Sequence, residues 1–263
     1  MMKYPIYQVD AFTNHLFGGN PAAVCPLDEW LPDDIMQKLG TENNLAETTF
    51  IVEEKDGYRI RWFTPAVEVA LCGHATLATA HIFYTELGHI VSEIAFNSLS
   101  GVLKVYNPQP GTYTLDFPVD AVTPVKMPGG LLDALGVQSS EVYKTSFDYM
   151  VVLQSQAEIE ALSPDFKALG KIDARGVIVT AKGDEADFVS RFFAPQCGID
   201  EDPVTGSAHT ALVAYWAGKL NTYGMKAIQL SKRRGYIDCV LQGDRVLLSG
   251  GAVTYLRGEI EVM

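Results

Sequence analysis

The hydrophobic and polar positions along the chain are patterned mainly as strands. Residues 6–9, 48–52, 58–63, 94–96, 102–106, 112–117, 149–153, 176–180, 188–193, 227–230, 236–241 and 245–249 are β-branched and aromatic runs punctuated by Gly, Pro, Asn or Asp, and each is predicted to be extended. Residues 33–39, with Pro32 just ahead, and 130–135 predict short surface helices. Two further helical stretches, 74–87 closing at Gly88 and 207–217 closing at Gly218, have no broad charged face. A helix that is apolar nearly all round is buried nearly all round. One such helix in each half, among many strands, predicts a sheet wrapped around a central helix.

The halves also echo one another. Trp62-Phe63-Thr64-Pro65 precedes Gly73-His74-Ala75-Thr76-Leu77-Ala78, and Phe192-Phe193-Ala194-Pro195 precedes Gly206-Ser207-Ala208-His209-Thr210-Ala211. Each copy is an aromatic strand ending in Pro, a loop with one or more carboxylates, and a glycine opening an Ala-rich helix. This repeated order favours a duplication. Pro118, Pro124, Pro128, Gly129 and Gly130 mark the junction, so domains of 1–118 and 119–263 are expected. A cleft between two such domains is a common place for a small-molecule site.

Composition narrows the partners. With 263 residues, 48% hydrophobic and 20% charged, the chain is globular and needs no disulfide or metal staple. Its 20 basic and 32 acidic residues leave a net charge of −12, which disfavours nucleic acid and anionic membranes as partners. No apolar run is long enough to span a bilayer, and Met1-Met2-Lys3-Tyr4-Pro5 leads into a strand-like stretch rather than a signal core. Cys25, Cys72, Cys197 and Cys239 form no Cys-x-x-Cys pair and match no zinc spacing. A cytoplasmic protein with free thiols and no metal is expected.

Three stretches carry candidate chemistry. Glu47, in Asn43-Asn44-Leu45-Ala46-Glu47-Thr48-Thr49-Phe50, stands at the mouth of an apolar strand. It is either a solvated strand-edge residue or a general acid and base whose pKa burial raises and helix N-termini lower. His74 opens the first buried helix. The positive dipole end there predicts a neutral imidazole unless a carboxylate is close. Gly198-Ile199-Asp200-Glu201-Asp202-Pro203-Val204-Thr205-Gly206-Ser207 sets three carboxylates before a helix start, which is either a capping loop or half of an anion site. If the backbone amides at Gly73-His74 and Gly206-Ser207 face each other, they clamp a carboxylate without any basic side chain. Phe17-Gly18-Gly19-Asn20-Pro21-Ala22-Ala23-Val24 lacks both the P-loop and the dinucleotide signature and reads as a Gly-rich structural turn, with Asn20 an amide able to line a site.

In these motifs the chain resembles the phenazine-biosynthesis PhzF-like isomerases. The resemblance rests on Asp10-Ala11-Phe12-Thr13, Phe17–Val24, Asn44–Phe50, Phe63-Thr64-Pro65 with Gly73-His74-Ala75-Thr76, and Glu201–Ala208. It implies an α+β fold of the diaminopimelate epimerase-like kind, with two pseudo-equivalent domains, each a curved, mostly antiparallel sheet around a central helix. It implies a homodimer, no cofactor, and a small substrate bearing a carboxylate. By the same resemblance Glu47 shuttles a proton between carbons, His74 and Asp202 hold and polarise the substrate, and Gly73 and Ser207 bind its anionic group, beside the Gly206 amide already read as part of that helix start. Related racemases use two cysteines. Cys72 matches the first, but the second position, near Pro203, holds no Cys, and Cys197 is too early. The remaining alternatives are a cysteine-assisted racemase or epimerase, and a non-catalytic binder of small anions on the same fold.

Overall fold

Residues 48–52 and 177–181 are buried at every consecutive position. A strand hidden on both faces needs a layer on each side. The computed structural model, which describes residues 2–55 and 57–262, provides those layers in each of two compact units, Met1–Asp116 with Ser249–Met263, and Phe117–Leu248.

The first unit runs β1 (Met2–Ala11), β2 (Asn20–Leu27), α1 (Asp33–Asn43), β3 (Glu47–Glu54), β4 (Gly57–Phe63), β5 (Glu68–Val69), α2 (Gly73–Thr85), β6 (Glu93–Ser98), β7 (Gly101–Gln109) and β8 (Thr112–Pro118). β1–β2, β3–β4, β4–β5, β6–β7 and β7–β8 pair antiparallel, whereas β2–β3 and β4–β6 are parallel. Ala23, Cys25, Leu27, Phe50, Val52 and Phe63 pack on one sheet face with Leu31 and with Met36 of α1. Strand alternation puts Asn20, Ala22, Glu47, Thr49 and Trp62 on the opposite face. α2 packs against β1, β2 and β3 and is buried from His74 to Phe83.

The second unit repeats this order: β9 (Thr123–Pro124), α3 (Leu131–Leu135), β10 (Glu141–Lys144), β11 (Tyr149–Val152), α4 (Gln156–Ala161), α5 (Phe166–Leu169), β12 (Val177–Lys182), β13 (Phe188–Ala194), β14 (Ile199–Asp202), α6 (Gly206–Leu220), β15 (Gly224–Gln229), β16 (Gly235–Gln242) and β17 (Arg245–Gly250). β10 to β16 pair as β1 to β7 do, with β11–β12 and β13–β15 parallel and β10–β11, β12–β13, β13–β14 and β15–β16 antiparallel. Val151, Val177, Val179, Val189 and Phe193 form a core with α3, α4 and α5. On the opposite face Trp216 of α6 stacks on Phe188 and donates its Nε1–H to Thr180 Oγ1.

The structure differs from the sequence reading in several places. The final strand, β18 (Ala252–Val262), pairs antiparallel with β1 along its length, so residues 249–263 belong to the first compact unit rather than to a C-terminal one. The Gly-rich turn read at 17–24 ends at Asn20, where β2 begins, lying between β1 and β3. α6 passes through Gly218 and closes on Asn221, whose φ of 53° supplies the left-handed residue. α1 continues past Leu39 to Asn43. Gly40 lies within it, and a Cβ there would meet Phe63 Cβ at 3.1 Å, so close packing explains that glycine.

Candidate active site

β2 and β3 run parallel and start at the same end, so their first residues, Asn20 and Glu47, lie near one another on the α2 face. α2 begins there too, with Cys72 as its N-cap and Gly73 and His74 as its first residues. Glu47 Oε2 comes within 3.0 Å of His74 Nε2, and the two side chains are only 13% and 5% exposed. The approach is close but off-line: among the described residues neither atom has an aligned hydrogen-bond partner. His74 Nδ1 lies 3.2 Å from Asn20 Nδ2 and 3.5 Å from Cys72 Sγ. The carboxylate that the sequence reading required for a charged histidine is therefore present.

The electrostatics follow from that packing. Burial works against the imidazolium, but the Cys72 sulfur and the Glu47 carboxylate outweigh it and hold His74 well above its ordinary range. Burial first, and the Glu47 carboxylate next, push the Cys72 thiol up to about 11 against the pull of His74. Such a thiol is neutral at pH 7 and offers the ring its sulfur without a charge. Glu47, Cys72 and His74 present an oxygen, a sulfur and a nitrogen within 4.8 Å of one another, a donor set that zinc accepts. The sulfur, however, faces Nδ1 and the carboxylate faces Nε2. One imidazole gives a metal one nitrogen, so these residues form a chain through the ring and do not fit a metal cage.

In the second unit Asp202 ends β14, and Thr205, Gly206 and Ser207 open α6. Thr205 occupies the N-cap but does not cap with its side chain; its hydroxyl donates to Asp202 Oδ2 at 2.5 Å. Gln229, buried on β15, holds both ends of this turn. It accepts from the Thr205 backbone N–H at 2.8 Å and donates to the Asp202 carbonyl at 2.7 Å. Nothing near Gln229 in the sequence marks it, because it reaches the turn only through the β13–β15 pairing. Neither α2 nor α6 has a side-chain cap or an acidic residue in its first turn, so both N-termini keep their partial positive charge uncompensated by the helix's own side chains. Asn20, Glu47, Gly73 and His74 thus gather in the first unit, and Asp202, Gly206 and Ser207 in the second.

This fold and these motifs define a family. The model described as PhzC-PhzF, phenazine biosynthesis-like protein, matches residues 9–258. The chain belongs to that family. It is 48% identical over 261 residues to an uncharacterized isomerase of Pseudomonas aeruginosa, covering 99% of this chain and all of that one. A PhzF-family crystal structure from Enterococcus faecalis superposes with a TM-score of 0.96 at 43% identity, over 99% of this chain and 100% of the other. The fold, without the sequence, extends to a hydroxyproline epimerase of Agrobacterium vitis, with a TM-score of 0.64 at 9% identity, over 98% of this chain and 92% of that one. No helix among the described residues is long and apolar enough to cross a membrane.

Proposed function

We propose that the protein is a cofactor-independent isomerase that moves a proton between carbons of a small, cyclic, carboxylate-bearing substrate, with Glu47 as both acid and base. The observation that carries this reading is the Glu47–His74 contact, a sheltered carboxylate 3.0 Å from a buried imidazole. A carboxylate so placed takes a proton from carbon without losing it to bulk water, and the adjoining imidazolium steadies its charge between the two transfers. The reacting C–H has to be activated by conjugation, because a carboxylate is too weak a base for an ordinary one. His74 and Asp202 orient the polar groups of the substrate. Asn20 and the backbone amides of Gly73, Gly206 and Ser207 take its anionic group, a role supported by the two uncapped helix starts. The name isomerase carried by the P. aeruginosa relative points the same way.

The test is proton exchange. A panel of small cyclic unsaturated carboxylates is incubated with the protein in D2O and followed by NMR. The wild type incorporates deuterium at carbon into at least one of them. Glu47→Gln loses roughly 10³-fold in that rate, within the range of general acid–base contributions, while calorimetric affinity changes by less than about threefold. Asp202→Asn weakens binding of the same compound, as the reading requires one substrate to meet both groups of residues. Equal exchange by wild type and Glu47→Gln overturns the assignment. Binding without exchange by any compound leaves an anion-binding protein instead.

A further inference from the structure

His74 has two ring nitrogens, and the proton shuttle uses only the one facing Glu47. The other, Nδ1, is contacted by the Cys72 sulfur at 3.5 Å and by the Asn20 amide nitrogen at 3.2 Å. Neither contact is explained by local structure. Cys72 sits at an N-cap, where Ser, Thr, Asp or Asn is usual, yet its thiol makes no capping bond. Asn20 is fully buried at the start of β2. These partners have opposite demands. An imidazolium carries a hydrogen on Nδ1 and needs an acceptor there, which the sulfur supplies. A neutral ring with its hydrogen on Nε2 needs a donor at Nδ1, which the Asn20 amide supplies.

We propose that Cys72 and Asn20 are paired positioning residues that select the protonation state of His74, the sulfur holding the charged ring and the amide holding the neutral one. With both at hand, the ring changes state in place as Glu47 gains and gives up a proton. The catalytic consequence rests on the isomerase reading; the selection itself does not. The titratable groups that act on the ring among the described residues are Glu47 from β3 and Cys72 from the α2 N-cap.

The experiment reads His74 directly and needs no substrate. Full-length protein is labelled with ¹³C,¹⁵N-histidine, the His74 resonance is assigned by its loss in His74→Gln, and its titration and ¹⁵N shifts are followed with pH. Cys72→Ala is expected to lower the His74 pKa and Asn20→Ala to raise it, each by about 0.5–1 pH unit, the worth of one modest hydrogen bond. Cys72→Ser, whose hydroxyl also accepts, is expected to stay near wild type, and Cys72→Val, which fills the space without an acceptor, takes the place of the alanine variant if that one fails to fold. Shifts of the same sign, or none, overturn the proposal, because a thiol or amide that merely fills space has no reason to act oppositely on one nitrogen. Loss of exchange activity in Glu47→Gln leaves this result untouched, so failure of either reading is recognised separately.

Discussion

At the scale of single residues, three buried histidines behave in two ways. His209 is fully buried on α6, and burial pushes it down to about 4 against the Thr205 carbonyl, to which its Nδ1–H donates at 2.8 Å. His81, set between Tyr113 Oη at 3.0 Å and Thr254 Oγ1 at 2.9 Å, is also pushed down to about 4 by burial. His74 goes the other way. The signs then follow. A histidine lowered in the fold binds a proton more readily when unfolded, so stability falls as pH drops from 6.5 toward 4. His74 stabilises the fold below 6.5, and that contribution fades as pH rises through its raised value. The unfolding free energy from urea melts should therefore fall between pH 7 and pH 5, by about 2 kcal/mol at His209 alone at 1.4 kcal/mol per pH unit. His209→Gln should be less stable at pH 7 and should lose less on acidification. A variant with the full wild-type slope would remove His209 from the account.

At the scale of elements, the duplication extends to matching ion pairs. Arg61 on β4 grips Glu68 through Nε and Nη2 at 2.8 and 2.7 Å and lies over the Phe63 ring at 5.2 Å. Arg191 on β13 grips Glu201 at 2.7 and 2.9 Å and lies over Phe193 at 4.9 Å. Each also holds the helix that links the preceding parallel strands, Arg61 through Asp33 at the start of α1 and Arg191 through the Ile159 and Leu162 carbonyls at the end of α4. Glu201 is thus a structural member of the acidic loop, beside Asp202. Arg191→Met should cost about 2–3 kcal/mol by leaving a half-buried carboxylate unpaired, and Arg191→Met with Glu201→Gln should recover part of it in a denaturation cycle. Additive losses would show the pair to be uncoupled.

The same scale shows what the amino-acid pattern reveals. Most strands were legible because β-branched and aromatic runs suit a pleated, buried surface. α2 and α6 were legible from their lack of a polar face. β2 was not, because Asn20-Pro21-Ala22-Ala23 has little strand character of its own and is held by neighbours on both sides. α4 and α5 were missed although Ser155 and Asp165 cap them in the usual way; only the short lengths hid them. Of the candidate site, Glu47 and His74 were singled out by motif, but their contact was not, because it arises only where β3 and the start of α2 meet in the fold. Nor was the fixing of Asp202 by Gln229, since the two are joined only through tertiary pairing.

At the scale of the molecule, the chain ends where it began. Met2 is paired with Val262 and Ala11 with Ala252, a pairing no local pattern announces across so long a separation. The first unit is therefore discontinuous in sequence, while the second is continuous. Residues 249–263 joined by a short linker to residues 1–116 should fold as a cooperative unit, whereas residues 1–116 alone should not. Thermal melts and NMR dispersion of the two chains decide this, and a well-folded 1–116 would make β18 dispensable. During synthesis on the ribosome, residues 117–248 are complete before the partner of β1 has left the exit tunnel. The unit that begins first is thereby finished last, and until residues 252–262 emerge its opening strand waits with one edge uncovered.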